Sequence, residues 1–568
     1  MFLRHLPLAS ASSKCGLPTP THSCCGPASS IMNALMEIHR IFGAALCAIS
    51  LVSVALPAPA QTAQQRSLYE RYTEPIQLFT TGLGTFTKPI SSSNKEAQAF
   101  FDQGFQMMYA FAKQDAVRSF REAWKRDPNC AICYWGEAWA WGSYLNAPMN
   151  AEEAPHAYAA AQKAQTLKTR ATAKERELID AMAVRYVEKF DPAKRVEQDR
   201  AYADAMQKVS AHYPDDLEIV TLYADALFLL EPRRGTRDVN DPNVHRLHQL
   251  LESILARDVR HPGACHLYVH ATESTIVPGR AEACAEFLGQ SIPGASHINH
   301  MPSHTWNEVG RWGDSVRANL AAWHSDQKAA VGQGFAIYPE HNLHMLLYAA
   351  SYDGQGAIAM RAGKDYTKLT GESFYEVLTL IRFGRFDEVL EVTNRPKADI
   401  QGGLWDFAQG YAHLKQGNTD FATLYLARVT KAADTSMAMF RVHTAKDLLG
   451  IVAGILDGEI RRTAGDLNGA IAAFQHAADL QAALVYDEPE PLPFSAFHWL
   501  GAALVENKRF DEAEKAYRTE LQDHPHNGWS LLGLQQALAG RGTTSRDVDA
   551  DLASSWSRAD TWIRSSRF

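Results

Sequence analysis

The sequence has no clustered run of lysine and arginine, and its formal net charge is −8. That excludes a nucleic-acid-binding surface of the usual kind, because neutralising a phosphate backbone takes a concentrated excess of basic side chains. No apolar stretch reaches the roughly 20 residues needed to span a bilayer, so no stable membrane insertion is expected. His-Glu-x-x-His, the zincin protease signature, is missing, as are Gly-x-Ser-x-Gly and the Walker phosphate loop. Strand-like alternation is scarce. Together with 46% hydrophobic and 21% charged residues, this points to an all-α globular chain.

What is present begins with an address. Glu37, Ile38, His39 and Arg40 precede an apolar run from Ile41 to Leu56, followed by Pro57, Ala58, Pro59 and Ala60. This is a charged region, a hydrophobic region and an Ala-x-Ala cleavage site, so a signal peptide cleaved after Ala60 and a periplasmic or secreted destination are expected. The Ser-, Pro- and Cys-rich stretch before Met32 points to a start at Met32 or Met36. Cleavage would leave Cys130, Cys133, Cys265 and Cys284. In an oxidising compartment these pair most simply as 130 with 133 and 265 with 284. Cys130-Ala-Ile-Cys133 is followed by Tyr134 rather than His, which rules out c-type haem attachment.

Internal repeats organise the rest. Gly104, Ala116, Phe120, Ala123 and Pro128 form a ladder with steps of 12, 4, 3 and 5 residues; Gly501, Ala513, Tyr517 and Pro525 repeat it, and Gly458, Ala470, Phe474 and Ala477 repeat it without the proline. Gly136 and Gly533 each follow the proline by eight residues. These residues resemble the tetratricopeptide repeat, a 34-residue helical hairpin. The resemblance implies a tetratricopeptide-like helical-hairpin solenoid wound as a right-handed superhelix. The expected organisation is a presequence and signal peptide over 1–60, an N-terminal extension over 61–94, N-terminal repeats over 95–230, histidine-rich repeats over 231–400 and C-terminal repeats over 401–568. Asp487-Glu-Pro-Glu-Pro-Leu-Pro493 reads as a break before the last repeats, and Tyr134 to Trp141 as core.

The histidines carry the chemistry. His266 and His270 form one His-x-x-x-His pair and His300 and His304 another, so each pair lies on one helical face. The pairs are separated by 34 residues, one repeat period, which brings them to equivalent positions on adjacent first helices facing the concave groove. Glu273 lies on the face of His266; His297 precedes His300 by one turn; His341 and His344 open the next hairpin. Eight of the 22 histidines fall between 266 and 344, where even composition would place about three. Imidazole and carboxylate donors without a thiolate pair suit a transition metal ion, zinc or copper foremost. The expected ligands are His266, His270, His300 and His304, completed from Glu273, His297, His341 and His344. His324, His524 and His526 read as surface residues.

From Cys130-Ala-Ile-Cys-Tyr-Trp-Gly through His266-Leu-Tyr-Val-His, His300-Met-Pro-Ser-His and His341-Asn-Leu-His, the chain resembles a group of exported bacterial tetratricopeptide-repeat proteins, which implies a helical solenoid but no particular reaction. Two readings stand. In one, the groove holds a metal that can serve a small-molecule substrate by activating water or dioxygen, with Glu273 the candidate general base. In the other, the protein is a metal-free scaffold whose groove takes a peptide or protein partner of the cell envelope.

Overall fold

Residues 67–232 and 234–568 are described by a computed structural model; the expected signal peptide lies outside them. Apart from a two-residue strand pair, Met439–Phe440 with His443–Thr444, the elements are helices joined by short turns. The chain is an all-α solenoid of tetratricopeptide-like hairpins.

The glycine–aromatic ladder explains the hairpins. Lys95–Tyr109 starts at Asn94, whose side chain accepts from the Glu96 and Ala97 N–H groups, and it pairs with Lys113–Arg126 and then Ala131–Trp141. The Phe120 ring fills the space that a side chain would need at Gly104 and Gly136: a Cβ there would lie 2.9 and 2.4 Å from it. Tyr517 occupies the same place between Gly501 and Gly533, at 2.4 and 2.0 Å, and Phe474 sits 2.3 Å from the Cβ position of Gly458. The tight turns inside the hairpins need one left-handed residue. Gly310, Gly354, Gly384, Gly417 and Gly465 supply it without strain, whereas the first hairpin uses Phe111 at φ 58°.

Two buried cores run along the chain, one from Ile76 to Ile337 and one from Trp312 to Val548. The segment before the first hairpin packs on it: the Phe79 N–H donates to Gln103 (2.8 Å) and the Gly84 N–H to Gln106 (2.7 Å). It also reaches the histidine-rich region, where the Gly294 N–H donates to the Gly82 carbonyl (2.8 Å). Cys130 is bonded to Cys133 and Cys265 to Cys284.

The second core closes on itself. Trp312 Nε1–H donates to the Pro525 carbonyl (2.8 Å), Trp529 Nε1–H to the Ser351 carbonyl (2.9 Å), and Arg558 makes a two-point ion pair with Asp353 (2.9 and 2.6 Å). The last helices are thereby docked on the hairpin of Pro339–Tyr352. No helix among the described residues is long and apolar enough to cross a membrane.

Candidate metal centre

Four helices deliver the histidines. Pro262–Thr272 carries His266 and His270, and Glu273 caps its C-terminal end. His297 and His300 lie on Ser296–His300, His304 on Pro302–Glu308, and His341 and His344 on Pro339–Tyr352. Pro302 does not open a continuous first helix; it divides two short ones, because it has no N–H to give to the preceding turn. Met301 keeps helical angles (φ −50°, ψ −37°), so His300 and His304 still share a face.

The nitrogens converge in overlapping groups. His266, His270 and His297 form one set, His300, His304 and His341 a second, and His270, Glu273, His304 and Glu488 a third, each with its donor atoms within 4.8 Å of one another. His266 Nε2 lies 3.2 Å from His297 Nε2. His300 Nε2 lies 2.7 Å from His304 Nε2 and 3.1 Å from His341 Nε2. For comparison, tetrahedral zinc with bonds near 2.05 Å separates its ligand nitrogens by about 3.3 Å.

Outer contacts aim these rings. His266 Nδ1–H donates to the Tyr109 carbonyl (2.6 Å), which leaves its Nε2 lone pair facing inward. His300 Nδ1–H donates to Asn319 Oδ1 (2.8 Å), and the Asn319 amide is oriented by its own donation to the Ser315 carbonyl (2.9 Å). His270 Nδ1 bonds to Glu273 Oε1 at 2.9 Å. His304 Nδ1 is 2.5 Å from Glu273 Oε2 and 3.2 Å from Glu488 Oε2, close ion-pair contacts without hydrogen-bond alignment. Acceptors and carboxylates behind ligating imidazoles fix tautomer and ring direction at metal sites.

The walls are strained and aromatic. The Phe111 ring packs against His266 at 4.2 Å, His297 at 5.4 Å and His270 at 5.8 Å between centroids, and Tyr338 stands edge-on to His297 at 5.4 Å. Phe111 and Tyr338 both adopt left-handed backbone angles, as does Arg441 at the cavity beside them. Each such residue costs on the order of 1–3 kcal/mol and persists only where its surroundings hold it. That cavity, of about 350 Å³, is lined by His270, His297, His304 and His341 together with Tyr144, Arg234, Tyr375 and Arg441. A second, of about 520 Å³, reaches His304 and Glu488 from the other side, past Glu308, Glu490 and His524.

Burial and neighbouring imidazoles hold His266, His297 and His341 well below the usual histidine range, and take His300 down to about 3. Neutral imidazole is the form that binds metal. Burial works against the charge on His304, but the carboxylates of Glu273 and Glu488 outweigh it and raise the ring above its ordinary value. Burial and the charge of Glu488 oppose ionisation of Glu273, yet His304 and His270 prevail and lower it.

Seven of the eight expected residues meet here. His344 lines the same 350 Å³ cavity but joins none of the three donor groups; it stacks on Tyr375 at 4.2 Å and places Nδ1 3.3 Å from its hydroxyl. His266 and His300 do not enter one group either; each His-x-x-x-His pair is completed by a histidine from another element instead. The cluster does not line an open groove, since His270 and His300 are 0% and His304 2% exposed. His524 is not a surface residue: at 4% exposed it lies against Glu520 (3.0 Å), Glu490 (3.3 Å) and the Tyr348 hydroxyl (3.0 Å). His324 and His526 are exposed. Glu488, Asn319, Phe111 and Tyr338 escaped the sequence reading; of these, only the acidic, proline-framed run around Glu488 carried any signal.

No protein-family model matches this chain, and none of the curated proteins does. Solved structures to which it is similar include the human IFIT1 dimer with m7Gppp-AAAA, at 11% identity over 83% of this chain and 96% of that one with a TM-score of 0.32. Yeast Tom70 matches at 12% identity over 83% and 93%, with a TM-score of 0.25. Naa15/Naa10 bound to HypK-THB matches at 13% identity over 80% and 68%, with a TM-score of 0.20. Likeness at this level carries no functional information.

Proposed function

We propose that this is an exported tetratricopeptide-like protein that holds a transition metal, zinc or copper foremost, in the buried histidine cluster. One observation carries the reading: the Nε2 atoms of His304 and His341 lie 2.7 and 3.1 Å from that of His300, all three within 4.8 Å of one another. A proton can join two nitrogens. A metal ion would satisfy all three nitrogens at once, His304 giving up its proton as it binds. The Asn319 contact behind His300 supports this, since it commits the ring to the tautomer that a ligand requires. Export is supported by the leader-like segment ending at Ala60 and by two cystine bridges. A small molecule reaching the ion through the 350 Å³ cavity is a better fit than an extended peptide, because the imidazoles are enclosed.

Elemental analysis of the purified mature protein, after dialysis against Zn²⁺ or Cu²⁺ and then against metal-free buffer, tests the reading. Retained metal that disappears in His300→Ala/His304→Ala is expected. Metal-free wild-type protein with intact helicity would falsify it.

A further inference from the structure

The set His266, His270 and His297 and the set His300, His304 and His341 share no residue. Ligands of one ion can be separated by at most about twice a metal–nitrogen bond, about 4.2 Å. No group with all its donor atoms within 4.8 Å of one another joins His266 or His297 to His300 or His341 among the described residues. One ion therefore cannot serve both sets, although each set has three imidazoles, enough for a three-histidine centre with an open position.

Between the sets stands a carboxylate pair. Glu273 touches the Nδ1 side of His270 with Oε1 (2.9 Å) and the Nδ1 side of His304 with Oε2 (2.5 Å), one histidine from each set. Glu488 backs His304 at 3.2 Å. In His304 the contacts at Nδ1 leave Nε2 facing His300 (2.7 Å), matching His266, whose Nδ1 is taken by Tyr109, and His300, whose Nδ1 is taken by Asn319. Four of the six imidazoles thus have Nδ1 engaged, two in each set. The duplication follows from the repeat: a His-x-x-x-His pair recurs one period later, and each copy recruits a third histidine, His297 for the first and His341 for the second.

Resting on the metal-binding reading above, we infer that the protein binds two transition metal ions, one in each histidine triad, with Glu273 as the carboxylate that orients a ligand of both. Glu273 is a positioning residue in this arrangement. The repeat makes neighbouring equivalent sites, and the shared carboxylate ties their geometry together.

The test counts ions per chain. Mature protein loaded with Co²⁺ is analysed for metal content and titrated by visible absorption, alongside His266→Ala/His297→Ala and His300→Ala/His341→Ala, each checked for helicity by circular dichroism. Two ions in the wild type and one in each variant are expected. A single ion in the wild type, or loss of all metal in either folded variant, overturns the inference while leaving metal binding itself standing; no metal in the wild type removes both. Should a variant fail to fold, the wild-type titration decides alone: a break at two equivalents supports two centres and a break at one refutes them. Glu273→Gln is expected to keep both ions while altering the Co²⁺ absorption of both, a signature that a merely packing role for the side chain would not produce.

Discussion

Asn319→Ala probes the centre without touching a ligand. Asn319 is fully buried and holds His300 by accepting from Nδ1–H at 2.8 Å. Without it, His300 can place its proton on Nε2, which removes the lone pair aimed at His304 and His341. Loss of an orienting partner behind a metal-ligating histidine weakens binding about 10- to 100-fold, equivalent to about 1.4–2.8 kcal/mol. The Ser303 hydroxyl, 3.3 Å from His300 Nδ1, offers a partial substitute, so the lower half of that range is expected. Asn319→Asp retains the acceptor and adds charge, and should bind as well as the wild type or better. The assay is Zn²⁺ competition against a chromophoric chelator at fixed pH, with thermal melts of the metal-free proteins as the control for folding. Only the centre that contains His300 should weaken. Asn319→Ala protein that folds normally and binds every ion within twofold of the wild type would refute the argument that the amide sets the tautomer.

His344→Ala, which removes a ring stacked on Tyr375 outside the three donor groups, should leave the metal count unchanged by elemental analysis; loss of an ion would return His344 to the ligand set. Gly136→Ala drives a Cβ to 2.4 Å from the Phe120 ring and should cost about 1–3 kcal/mol through overpacking, seen in chemical denaturation, whereas the same change at Gly371, where nothing lies within 4 Å of a Cβ, should cost chiefly through its left-handed backbone. Burial opposes the Glu520 charge, but His498 and His524 hold that carboxyl below its ordinary value; burial likewise opposes His524, which Glu490 and Glu520 hold above its own. The Glu520 contribution to stability is therefore complete above its unfolded value near 4.5 and fades as pH falls, while that of His524 is complete below about 6.5 and fades as pH rises through the folded value. Melts of wild type and Glu520→Gln between pH 3 and 8 should differ most near pH 5–6, the gap narrowing towards pH 3; a gap independent of pH would contradict this.

The periodic features were readable because they depend on local spacing. The Gly104–Phe120–Gly136 and Gly501–Tyr517–Gly533 stacks follow from the ladder of small and aromatic residues, and a separation of one period brings the His270 and His304 rings to 5.3 Å. The unreadable features depend on chain folded back from far away. Glu488 meets His304 across 184 residues, and nothing in an acidic, proline-rich turn says which helix it will face. His524 sits beside Pro525, the composition of an exposed junction, yet the closing of the second core buries it among Glu490, Glu520 and Tyr348. The left-handed angles of Phe111 and Tyr338 are imposed by packing around His297, since bulky residues have no intrinsic preference for that region. Asn319 reads only as one more residue on the helix Trp312–Ala329.

The docking of the last helices onto Pro339–Tyr352 changes how this half of the molecule can come apart. An open array of repeats loses units from its free end, each step costing little more than one neighbouring interface. Here peeling begins only after Trp529 leaves Ser351, Trp312 leaves Pro525 and Arg558 leaves Asp353, so damage near residue 530 is felt some 200 positions earlier in the chain. Heating should then melt the region from about 312 onward in a single step rather than by fraying, and Glu488 would be withdrawn from His304 in that same event.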